Sequence, residues 1–173
     1  MKAREFNSIM PRLNEYWVAR SLNMKVNTSP GVDVEDSRKI IEVKFRLVGS
    51  QSGAKSYSKI WTVLDHQLDY EDSERQFYWG FGEYTLSLPV KKIKTKNLGK
   101  LEGLVLGMEL WVVDPSWVEG YEPSRCCGRT EISEWDNTFR YAKKKDLPKT
   151  EYSFKVEGGI INLTEGVDKF FFL

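Results

Sequence analysis

The chain is poor in the residues on which several common chemistries depend. It holds one histidine, His66, and two cysteines, Cys126 and Cys127, in 173 residues. Adjacent cysteines are badly arranged for a disulfide and too few for a zinc site, which leaves a reduced cytosolic pair as the plain reading. A Ser-His-Asp triad or a histidine metal site would have to be built around His66, whose flanks, LDHQLD, show no nucleophile elbow. Neither G-x-G-x-x-G nor G-x-x-x-x-G-K-[ST] occurs, so nucleotide-cofactor and P-loop chemistry have no support. No apolar run approaches the roughly 18 residues of a membrane-spanning helix. The opening MKAREFNSIM lacks the apolar core of a secretory signal, so a cytoplasmic or nucleoid-associated protein, not a secreted one, is expected. Internal repeats and low-complexity linkers are absent.

What is present is an ordinary globular composition, 40% hydrophobic and 29% charged. A length of 173 residues fits one domain, expected to span 1–173 with a catalytic core near 7–90 and accessory, specificity and dimerisation elements over 91–173. The net charge of +1 argues neither for nor against nucleic acid, but charge is blocked. KKIKTKNLGK (Lys91 to Lys100) and YAKKKDLPK (Tyr141 to Lys149) are basic, and such runs are either solvated faces or phosphate contacts. The aromatic clusters FYWGFGEY and FFFL could stack on unpaired bases, but aromatics alternating on strands more often build core.

Periodicity predicts a helix over Asn7 to Met24, with Ile9, Leu13, Trp17 and Ser21 in one row and Pro11 in its first turn. GVDVE and KIIEVKF, joined through DSR, read as a hairpin. After the loop GSQSGAKSYS, the second half of KIWTVLDHQLDYEDSER reads as helix, and QFYWGFGEYTLSLPV as a strand pair turning at Gly82–Glu83. MELWVVD reads as a strong strand followed by a loop-rich stretch around the cysteines, and YSFKV-EGG-IINL as a last hairpin.

The first hairpin carries the candidate chemistry. If it closes through an even loop centred on Ser37–Arg38, Asp33 faces Glu42 and Val34 faces Ile41, with opposed Cβ atoms about 4.5–5.5 Å apart. Lys44, two residues on, shares the face of Glu42, while Val32, Val34, Ile41, Val43 and Phe45 point to the other. Opposed carboxylates repel, so a cation is needed between them. Lys44 could supply part of that charge; a divalent ion with oxygen ligands would do so better, leaving room for waters and a substrate phosphate. A lysine beside such an ion can orient or deprotonate an attacking water, which is the equipment for metal-assisted phosphodiester hydrolysis.

These residues resemble the PD-(D/E)xK nucleases. The resemblance lies in Gly31-Val32-Asp33 at a strand end, a short turn, Glu42-Val43-Lys44 in an apolar run, and Glu15 on the preceding helix. Gly31-Val32 stands where the name-giving motif has proline directly before the aspartate, with Pro30 close by. The resemblance implies a restriction-endonuclease-like α/β core, a mixed central sheet flanked by helices, here with an additional C-terminal β element. It implies that Asp33, Glu42 and the backbone carbonyl of Val43 hold Mg²⁺, with Mn²⁺ able to substitute, that Lys44 serves the attacking water, and that Glu15 supports a metal or its waters. Gln67 and Tyr70 are similar to a glutamine and tyrosine that some of these nucleases carry on the following helix, at a spacing one residue shorter, which adds Gln67 to the catalytic candidates. The expected activity is a Mg²⁺-dependent DNA endonuclease of restriction, homing or junction-resolving type. Its partner is duplex or branched DNA, and it acts as a homodimer, because cutting both strands with one site each takes two sites related by symmetry. The alternative is a non-catalytic DNA-binding or assembly protein that retains the nuclease fold.

Overall fold

A computed structural model describes residues 2–28, 31–48, 60–64, 74–121, 124–125, 138–143, 145, 153–157 and 160–163. The first element, α1 (Ala3–Leu22), buries a stripe of Phe6, Met10, Leu13 and Trp17, spaced four, three and four residues apart as one helix face requires. It ends where Asn23 turns left-handed and Met24 N–H donates to the Ala19 carbonyl at 2.8 Å. The helix thus begins earlier than the periodicity predicts, and Pro11 lies in its interior, not in its first turn. Lacking an N–H, Pro11 leaves the Asn7 carbonyl without its helical partner. The helix continues because the buried stripe anchors both halves to one core.

The protein is mixed α/β. Five strands of four residues or more, β3 (Lys39–Leu47), β5 (Gln76–Leu86), β6 (Val105–Val113), β9 (Ser153–Glu157) and β10 (Ile160–Leu163), stand in that order in one sheet. The two-residue strands β1 (Lys25–Val26) and β2 (Val34–Glu35) extend it beyond β3. β3 and β5 run parallel, and every other neighbouring pair is antiparallel. The last two strands form the expected C-terminal hairpin and join the main sheet through β6. A second sheet places β4 (Ile60–Leu64) beside β8 (Thr138–Lys143), which pairs β7 (Ser124–Arg125). Short helices α2 (Leu98–Glu102) and α3 (Pro115–Glu119) flank β6 in sequence.

Over β3, β5 and β6 both faces of the main sheet are covered. On one side α1 seals Val34, Ile41, Leu110 and Val112 beneath Val18, Ala19 and Leu22. On the other, Trp61 and Val63 of β4 and Val118 of α3 pack over Trp79, Phe81 and Val113.

One strand departs from expectation. QFYWGFGEYTL does not turn at Gly82–Glu83; it is a single strand of 11 residues, its Gly82 opposite Phe45 on one side and Leu110 on the other. Gly82 serves close packing instead of a turn, since a Cβ there would fall 2.1 Å from the Phe45 ring. The stretch around Cys126 and Cys127, residues 65–73 of KIWTVLDHQLDYEDSER, and the FFFL tail lie outside the described residues, while Glu74 and Arg75 at the end of that segment form a bend and not a helix.

Candidate metal and phosphate site

The hairpin closes with the register expected from its apolar pattern: Val34 opposes Ile41 and Glu35 opposes Ile40. Asp36 fixes the turn, its Oδ1 accepting from Arg38 N–H at 2.6 Å and Lys39 N–H at 2.7 Å. Asp33 sits just before β2, where its N–H donates to the Ile41 carbonyl at 3.2 Å and its carbonyl accepts from Asn27 N–H at 2.9 Å. The chain enters this position through Gly31, whose φ of +138° few L side chains adopt. Backbone ties on both sides therefore hold Asp33 against β3.

Alternation along β3 then puts Glu42, Lys44 and Arg46 on the side facing β4, and Ile41, Val43 and Phe45 toward α1. Asp33 Oδ2 accepts from Val43 N–H at 2.7 Å. Lys44 Nζ donates to Glu42 Oε1 at 2.6 Å and lies 6.0 Å from the centre of the Trp79 ring. Arg46 donates from Nε to Glu83 Oε1 at 2.7 Å, pairs with the same oxygen through Nη2, and lies 4.1 Å from the centre of the Trp61 ring. Glu15, on α1, pairs with Arg12 at 3.3 Å.

A cleft of about 680 Å³ brings these groups together, lined by Asn14 and Glu15 of α1 and by Asp33, Glu42, Lys44 and Arg46. Its carboxylates are under electrostatic load. Burial pushes the Asp33 carboxyl above its ordinary value, against the Val43 N–H and the Lys44 charge, which pull it down. Burial raises Glu42 as well, with Asp33 adding to the rise and Lys44 opposing it. Glu15 is raised by burial, then by Asp33 and, more weakly, Glu42, while Arg12 pulls it down.

No family model, curated protein or solved structure matches this chain. The reading of the cleft accordingly rests on its own chemistry.

That chemistry suits a hard divalent cation. Asp33 and Glu42 are oxygen donors of the kind such an ion takes, and burial raises both carboxyls while Lys44 and, for Asp33, the Val43 N–H partly offset the rise. Among the described residues no group of three or more acidic, histidine or cysteine side chains is gathered tightly enough to hold an ion. Asp33, Glu42 and the Val43 carbonyl are the donors the resemblance names, and Glu15 is coupled to both carboxylates through the field. Gln67, Tyr70 and His66 lie outside the described residues.

Three lining residues escape a reading that stops at the acidic pair and Lys44. Arg46 continues the Glu42–Lys44 alternation by one more step and could have been found by following period two. Asn14 could have been found by winding α1 as a helix, which brings it to the same wall as Pro11 and Asn7. Trp61 gave no local signal, because β4 reaches the cleft only through tertiary packing, with its Nε1 donating to the Gly82 carbonyl at 2.9 Å.

Proposed function

We propose that this protein is a Mg²⁺-dependent deoxyribonuclease with a restriction-endonuclease-like core, hydrolysing phosphodiester bonds of duplex or branched DNA as a homodimer. The observation that carries the reading is the convergence of Asp33, Glu42, Lys44 and Glu15 on one cleft, with all three carboxyls raised. The order of α1, the β2–β3 hairpin and a mixed sheet supports the architecture.

In this reading Asp33, Glu42 and the Val43 carbonyl would hold the cation, which when bound would neutralise phosphate charge and acidify water. Lys44, kept in place by Glu42, donates to the charge that builds on the phosphoryl oxygens as the water oxygen bonds to phosphorus and the ester oxygen departs with the P–O electron pair, taking its proton from solvent. Glu15, with its raised carboxyl, accepts the proton the water loses.

Incubating the purified protein with supercoiled plasmid and with a four-way junction, each in Mg²⁺ or in EDTA, tests the proposal. Cleavage in Mg²⁺ and none in EDTA is expected, and the preferred substrate separates restriction or homing activity from junction resolution. DNA binding with no cleavage in either Mg²⁺ or Mn²⁺ would leave the non-catalytic alternative in its place.

A further inference from the structure

We propose that Asn14 contacts the substrate directly, its carboxamide donating a hydrogen bond to a non-bridging oxygen of the phosphodiester in the cleft; this rests on the nuclease reading above. Asn14 is only 6% exposed, yet it lines the cleft. Its side chain has no hydrogen-bond partner among the described residues, and neither of its polar atoms is fully sealed from solvent. Burying an amide without a partner is destabilising, and buried polar groups are ordinarily satisfied. An amide left open on a cleft wall is therefore a group waiting for a ligand atom.

The surroundings decide which atom. Glu15, Asp33 and Glu42 crowd the cleft with acceptors, so another acceptor would add little. Donors are what a phosphodiester needs, and the charged ones already share their charge with carboxylates: Lys44 with Glu42 and Arg46 with Glu83, with the remaining Arg46 Nη1 sealed from solvent. Asn14 Nδ2 is a buried donor of this lining that no side chain or backbone group of the described residues engages. It is also neutral, so it adds attraction for the phosphate without competing with a cation for the carboxylates.

Asn14→Ala and the near-isosteric Asn14→Asp separate this role from two others. Three quantities are measured beside the parent: thermal midpoint, Mn²⁺ affinity by calorimetry, and affinity for a DNA duplex and a four-way junction in Ca²⁺. Asn14→Ala is expected to keep Mn²⁺ affinity near the parent value and to weaken DNA binding about tenfold or more, as loss of one hydrogen bond to a charged group does. Asn14→Asp, without the donor and with added charge, is expected to weaken it further. Unchanged DNA affinity in Asn14→Asp would overturn the proposal even if Asn14→Ala fails to fold. So would Mn²⁺ binding that is lost in Asn14→Ala and regained or tightened in Asn14→Asp, which would make Asn14 a metal ligand. A parent that binds neither Mn²⁺ nor DNA would instead remove the nuclease reading itself.

Discussion

Asp33 places a carboxyl where burial disfavours its charge. Its carboxyl is raised mainly by burial, as are those of Glu42 and Glu15. A folded-state pKa above the unfolded one means that the native protein binds the extra proton, so this stability is present below the unfolded value and is lost as pH rises through the folded one. The metal-free protein should therefore lose stability as pH climbs from the ordinary carboxylate range, about 4, through the raised values. Asp33→Asn keeps an acceptor for Val43 N–H while removing charge. It should be as stable as the parent or more so at neutral pH, the gap closing in acid, and it should not cleave; urea titrations across pH check this, and an unfolded variant at pH 7 would make Asp33 structural. Lys44 separates binding from rate. If it acts in the transition state, Lys44→Ala should slow single-turnover cleavage by about 10²–10⁴ while binding DNA in Ca²⁺ as the parent does. A lysine that only contacts phosphate would instead weaken binding and flatten its salt dependence by about one counterion. Cleavage within a few-fold of the parent would take Lys44 out of the site.

At the scale of elements, α1 and the β3–β5 pair shape the cleft through two residues that break local rules. Pro11 inside α1 costs a helix interior about 3 kcal/mol relative to alanine, yet it lines the cleft beside Asn14. Pro11→Ala should restore the helical partner of the Asn7 carbonyl and raise the thermal midpoint, with any loss of activity reporting on the shape of the wall and not on the fold. Gly82 is the opposite case. Its missing Cβ leaves room for the Phe45 ring, which also lines the cleft, so Gly82→Ala should destabilise by about 1–3 kcal/mol, the cost typical of overpacking. Denaturant unfolding of Gly82→Ala, Phe45→Ala and the double variant should show the pair losing less than the sum of the two, because the clash exists only when both groups are present. The Gly82–Glu83 turn expected from sequence fails for the same reason: a glycine signals either a bend or a close approach, and local pattern does not distinguish them.

The whole molecule joins the acidic cleft to the fold by mass action. A cation that binds only the native state should raise the thermal midpoint as its concentration exceeds its Kd, and the effect should weaken in acid as the raised carboxyls take protons. Scanning calorimetry with Mn²⁺, Mg²⁺ and EDTA measures it; no shift at millimolar Mn²⁺ and neutral pH would refute the Asp33–Glu42 cation site. Among the described residues no helix is long and apolar enough to cross a membrane. The sequence by itself pointed to the β2–β3 register, because an even loop lets Val34, Ile41 and Val43 be buried together, and that register brings Asp33 against the strand that carries Glu42 and Lys44. It determined most of α1, through a stripe at helical spacing. Only the tertiary structure decided that β5 is one parallel neighbour of β3, that β4 roofs the Lys44 side with Trp61, and that Asn14 of α1 looks into the cleft shared by Asp33 and Glu42. Local pattern says which face of an element is apolar; which elements meet there depends on contacts between residues far apart in the chain, and the unpartnered amide of Asn14 exists only once those contacts have formed.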